Sequence, residues 1–169
     1  MTRLLDLRAL LVELTSSGVD FVVIGGVAVN AHGSIRATKD IDICPAPDRE
    51  NLVRLAGFLK RVEATQLGVE EGGLQSDEMP SDPTDPDDLA LGGNFRLETV
   101  HGVLDVMQWI PGIDADDPYA VLVADADTAE PFGVTIMVCS LAALLRMKRA
   151  AGRPQDLVDI ANLEAAHND

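Results

Sequence analysis

Cysteine is scarce, and the two present, Cys44 and Cys139, stand alone with no CxxC pair or Cys/His spacing around them. That argues against a disulfide framework and a cysteine-based zinc site, and leaves buried, reduced thiols as the expectation. Long apolar runs are also missing. No stretch approaches the roughly 18 consecutive apolar residues of a membrane span. The N-terminal MTRLLDLRALLVELTSS carries acids inside its apolar stripe, unlike a signal peptide. A soluble, cytoplasmic protein without a membrane partner is expected. Basic residues are few, 13 Lys and Arg against 28 Asp and Glu, for a net charge of −15. An acidic body repels long polyanions, so duplex DNA is not expected as a partner, yet a basic pocket in such a body still attracts a compact one such as a nucleoside triphosphate.

What is present suffices for one domain: 169 residues, 47% apolar, can bury a core of their own. The charge is unevenly spread. Residues 70–88 hold eight acids and no base, and residues 111–130 hold six acids and no base. Bases gather elsewhere, at Arg36 and Lys39 and again at Arg146, Lys148, Arg149 and Arg153.

Leu4, Leu7, Leu10, Leu11 and Leu14 recur at helical spacing, which predicts an amphipathic helix over 3–16 stopped near Gly18. DFVVIGG reads as a short buried strand, VAVNAH as a short helix ended by Gly33, and TKDIDIC as an alternating strand. Asp48 can cap a helix over 49–61 with Leu52, Leu55 and Leu59 on one face. Residues 68–93 lack apolar periodicity and read as a mobile acidic loop. NFRLETV and VLDVMQWI predict two strands joined by a turn at His101-Gly102, and VTIMVC predicts another. Ser140 can cap a helix from Leu141 to Ala151, Gly152 can stop it, and Pro154 can start a last helix.

Several features carry chemistry. Gly25-Gly26, between a strand and a helix, frees the backbone for close approach, and the helix N-terminus behind it offers unpaired N–H groups to a phosphate; a tight turn with no ligand is the plainer alternative. Asp40 and Asp42 are two apart on a strand and so share a face, where two like charges either meet solvent or bind a cation such as Mg²⁺. Asp105, between Leu104 and Val106, is the polar exception on a buried strand, either a satisfied core acid or a third ligand. Lys148 falls in the apolar stripe of Leu141, Leu144 and Leu145 and needs an anion there, while Arg146 and Arg149 fall outside it. Asp156 lies inside the apolar arc of the last helix, with Asp159 on its edge; Asp156 is expected to pair with Lys148 or Arg153. His32 reads as a helix-end residue, structural or functional.

Gly25-Gly26, thirteen intervening residues, Asp40-Ile41-Asp42 and a later Asp105 in a strand resemble the nucleotidyltransferase superfamily that includes DNA polymerase beta. The fuller run GG-x-A-x-x-x-H-G-x-x-R-x-T-x-D-I-D-I resembles minimal nucleotidyltransferases of the AbiEii/MenT toxin type, and LLRMKRAAGRPQDLVDIANL looks like the C-terminal segment these share with small antibiotic nucleotidyltransferases. The family's usual Gly-Ser is Gly-Gly here, which removes a hydroxyl and keeps the backbone donors.

The resemblance implies an α+β, polymerase beta-like fold. A mixed sheet flanked by helices forms a core over 1–139, with the acidic loop at 68–93, and a small helical segment over 140–169 packs on it as one domain. It implies Gly25 and Gly26 at the triphosphate, Asp40, Asp42 and Asp105 as ligands of two Mg²⁺ ions, Arg36 and Thr38 near the nucleotide, and Lys148 facing the β and γ phosphates. The activity implied is transfer of NMP from an NTP to an acceptor hydroxyl, with the tRNA 3′ end as acceptor and a kinase-type antitoxin, acting on Thr38, as partner. Two other readings stay open: an antibiotic nucleotidyltransferase acting on an aminoglycoside or lincosamide, and an inactive fold used as a binding partner.

Overall fold

A computed structural model describes residues 3–67 and 81–168. The first helix, α1 (Leu7–Ser16), begins later than the predicted residue 3 because the Asp6 carboxylate accepts from the Ala9 N–H at 3.0 Å and caps it. The chain then runs through β1 (Phe21–Ile24), α2 (Gly25–Ala31), β2 (Asp40–Pro45), α3 (Arg49–Arg61) and β3 (Thr65–Gln66). Asp48 caps α3 through the Asn51 N–H, as its position predicts.

The expectation of an irregular loop over 68–93 needs correcting at its end. Residues 68–80 lie outside the described residues, but Pro86–Ala90 forms a helix, α4. The acids that suggested disorder start it: Asp85 caps the Asp87 N–H, Pro86 takes the first turn, Asp87 and Asp88 favour the positive end of the dipole, and Leu89 anchors it in the core.

β4 (Asn94–Thr99) and β5 (Gly102–Met107) form the predicted hairpin. α5 (Pro118–Val123) and β6 (Asp127–Ala129) fall in the acidic stretch to which the sequence assigned no element. β7 (Ile136–Val138), α6 (Leu141–Ala151) and α7 (Pro154–His167) complete the chain, with Ser140 capping α6 and Gly152 ending it at φ +62°.

Among the described residues, seven strands form one mixed sheet, ordered β3-β4-β5-β2-β1-β7-β6. β2 lies at its middle, parallel to β5 and antiparallel to β1. α1 packs on α3, α2 on β1, β2 and α6, and α7 on α6. Leu10, Leu11 and Leu14 of α1 and Leu55 and Leu59 of α3 are fully buried, each contributing about 1.5–3 kcal/mol over leaving it exposed. Cys44 and Cys139 are free and buried, and burial pushes both thiols up to about 12, which makes them poor nucleophiles.

Candidate active site

Strand alternation builds the first half of the site. In β2, Ile41 and Ile43 are fully buried while Asp40 and Asp42 face the other way and are half-buried. The parallel register sets Asp42 beside Asp105 of β5, which is 8% exposed. One carboxylate oxygen from each of Asp40, Asp42 and Asp105 lies within 4.8 Å of the others.

The two glycines serve this cluster at close range. Gly25 has φ +69°, and a Cβ on it would stand 1.9 Å from Asp42 Oδ2, so no other residue leaves room for that carboxylate. A Cβ on Gly26 would stand 2.9 Å from Thr38 Oγ1 and 3.2 Å from Arg36 Nη2. α2 starts at Gly25, and its N-cap, Ile24, offers no side-chain hydrogen bond to the first N–H groups.

Arg96, which no local pattern in the sequence singles out, stands directly opposite Asp105 on β4. Its Nη1 donates to Asp105 Oδ2 at 2.7 Å and to Asp40 Oδ2 at 3.1 Å. Alternation in NFRLETV put Arg96 on the polar face, but only the pairing register between β4 and β5 brings it to the carboxylates.

One guanidinium does not balance three carboxylates. Burial, a proton shared with Asp105, and the charges of Asp105 and Asp40 push Asp42 up to about 8. Burial also raises Asp105, against the lowering effects of Asp42 and Arg96. A carboxyl that holds its proton at neutral pH because burial and neighbouring carboxylates both disfavour its charge marks a place for added positive charge. Oxygen-only donors suit a hard cation such as Mg²⁺, so these residues fit the metal that the sequence implied.

On the facing wall, α6 and α7 hold a second group of charges. Lys148, 6% exposed, donates to Asp156 Oδ1 at 3.1 Å and lies 2.9 Å from Asp159 Oδ2. Arg153 binds the Asp156 Oδ2 at 2.7 Å, and Arg36 grips Asp159 with Nε at 2.8 Å and Nη2 at 3.0 Å. Burial alone would raise both acids, but these hydrogen bonds outweigh it and hold Asp156 and Asp159 below the usual carboxylate range. The expected partners of Lys148 and Asp156 are therefore present. Asp159, placed at an edge by periodicity, is instead fully buried.

Between the two walls lies a cavity of about 590 Å³, lined by Gly26, Arg36, Thr38, the three aspartates, Arg96, Lys148 and Arg153 among others. Thr38 donates from Oγ1 to the Asp40 carbonyl at 2.9 Å. His32 stands apart and has a structural part: its Nε2 donates to the Cys139 carbonyl at 2.7 Å, and its own carbonyl accepts from His167 Nε2.

No family model and no curated protein matches the sequence. Solved structures do. A Thermotoga maritima protein assigned as a nucleotidyltransferase aligns over 92% of this chain and 88% of its own, with a TM-score of 0.56 at 17% identity. The antibiotic-resistance factor ANT(2″)-Ia, solved in complex with adenylyl-2″-tobramycin, aligns over 94% of this chain and 86% of its own, at TM-score 0.53 and 15% identity. An antigenic nucleotidyltransferase-like protein from Paracoccidioides brasiliensis also aligns, at TM-score 0.50 and 15% identity. The chain has the nucleotidyltransferase fold.

Within this nucleotidyltransferase fold, the eight residues to which the resemblance gives a site role lie in one region. Gly26, Arg36, Thr38, Asp40, Asp42, Asp105 and Lys148 share the cavity, and Gly25 lies behind Asp42. Arg36 and Lys148 are not bare cations there, since both are bound to the carboxylates of α7.

Proposed function

We propose that this chain moves a nucleotidyl group from an NTP to an acceptor hydroxyl, with divalent metal held by Asp40, Asp42 and Asp105. The observation that supports this reading best is the convergence of the three carboxylates beside the Gly25-Gly26 turn, in a nucleotidyltransferase fold. Two Mg²⁺ ions bound by these residues would supply Lewis-acid polarisation of the phosphate oxygens and lower the pKa of the acceptor hydroxyl.

The rest falls to the chain's own residues. The backbone N–H groups that open α2 receive phosphate oxygens. The α6–α7 wall and Arg36 together bring three cations, Arg36, Lys148 and Arg153, against two carboxylates, and the surplus charge draws the triphosphate to that side. Asp105, next to the reacting oxygens in this reading, accepts the acceptor's proton as its oxygen bonds to the α-phosphorus and the bond to pyrophosphate breaks.

The motif run resembling toxin-type enzymes supports the tRNA 3′ end as acceptor. Thr38, half-buried on the cavity wall, would then be the point at which a kinase-type antitoxin acts, since a phosphoryl group there adds about −1.5 to −2 charge beside Asp40. A second acceptor class, a cationic small molecule such as an aminoglycoside, is favoured by the net charge of −15. The inactive-partner reading is opposed by the intact aspartate cluster.

Incubation with each labelled NTP and Mg²⁺ against total tRNA and a panel of aminoglycosides and lincosamides tests the proposal. Label is expected on one acceptor class and absent with Asp42→Asn. No Mg²⁺-dependent NTP consumption with any acceptor, together with no NTP binding, would return the chain to the binding-partner reading.

A further inference from the structure

We propose that Arg96 is a built-in counter-cation that holds the place of the divalent metal at Asp40 and Asp105 and must be released for the metal to seat. This rests on the metal-binding reading above.

Arg96 and a metal ion would draw on the same two carboxylates. Arg96 Nη1 takes Asp105 Oδ2 at 2.7 Å and Asp40 Oδ2 at 3.1 Å, bridging acids from two different strands much as an ion would. Asp105 is buried, so leaving it without a positive partner is costly, and the arginine keeps the metal-free site folded. The guanidinium is not locked in place. The Arg96 side chain is 53% exposed, and both of its carboxylate bonds are made by the one nitrogen, so it can swing into the cavity mouth without disturbing β4.

A cation competing for the same oxygens lowers metal affinity by the strength of the pair it breaks. A partly exposed ion pair of this kind accounts for about two- to fivefold in a binding constant. Metal loading and arginine release are then one event. The freed guanidinium stays on the cavity wall, where the anionic nucleotide arrives.

Mn²⁺ binding to the full chain, without nucleotide, measured by titration calorimetry and by the spin-resonance signal of free Mn²⁺, separates the outcomes. Arg96→Ala and the better-filling Arg96→Gln are expected to bind Mn²⁺ about two- to fivefold more tightly than the parent chain. Arg149→Gln, which removes one charge from an exposed pair between α6 and α7, is expected to leave it unchanged. Unchanged or weaker binding in both Arg96 variants overturns the inference, as does equal tightening in Arg149→Gln, which would make the effect one of net charge. If the parent chain and Asp105→Asn bind Mn²⁺ equally, the metal reading itself fails and takes this inference with it.

Discussion

Two groups of aspartates lie at or behind the walls of one cavity, and burial acts on both, yet they end in opposite states. Asp156 and Asp159 are met by Lys148, Arg153, Arg36 and Gln155, and their carboxyls sit below the usual range. Asp42 and Asp105 have each other, Asp40 and one guanidinium, and their carboxyls sit above it. The difference is the number of donors per buried acid rather than burial itself. A satisfied charge network joins helices; an unsatisfied one is a place where an external cation gains free energy by binding, and such places are where chemistry is found.

The sharpest way to break this contrast is Asp159→Ala, which leaves Lys148 and Arg36 without their shared buried partner. A loss of about 3–5 kcal/mol in urea unfolding is expected. A loss under about 1 kcal/mol would mean the network is not complete as described.

Asp42→Asn should behave in the reverse manner. Mg²⁺-dependent NTP turnover is expected to fall at least about a hundredfold, more than losing an outer partner of a ligand costs. The metal-free protein should be no less stable, since one of three crowded carboxylates is gone. A variant that is both active and less stable would place Asp42 with the structural acids.

pH reads the two groups with opposite sign. Asp42 and Asp105 have folded-state pKa values above those of the unfolded chain, so their contribution to stability is full below about pH 4. It is lost as the pH rises through Asp42's value of about 8. Asp156 and Asp159 contribute fully above about pH 4 and lose that contribution as the pH falls through their lowered values. Mg²⁺ should therefore raise Tm more at about pH 8 than at about pH 5, where protons already relieve the crowding. A shift independent of pH would separate the metal from these carboxyls.

The smallest effect expected is that of Arg149→Ala. Arg149 pairs with Glu164 at 2.7 Å on the exposed side of the same helix pair. Its removal should change stability by no more than about 0.5 kcal/mol, because water already solvates both groups. A larger loss would show that the helix pair depends on surface charge as well as on the buried network.

Much of this was legible in the sequence. Asp40 and Asp42 share a face because strands alternate, and Lys148 demanded an anion because helices repeat; both follow from local geometry. Arg96 was not legible, since its place beside Asp105 depends on the register of β4 against β5. Periodicity puts Asp159 at an edge because it gives a direction along one helix and not what packs there; Arg36, far away in sequence, closes over it. The acid-rich stretches hid α4, α5 and β6, where capping by Asp85 and Asp117 and single anchors such as Leu89 and Leu122 outweigh polar composition.

The sequence by itself determined which residues carry charge, which faces of each element they occupy, and that Gly25, Gly26, Asp40, Asp42 and Asp105 belong to one pattern. Only the tertiary structure decided which charges meet. Pairing across strands and between distant helices is set by sheet register and packing, which no local periodicity encodes. That is why one group of aspartates finds its counter-ions within the chain and the other is left short of them.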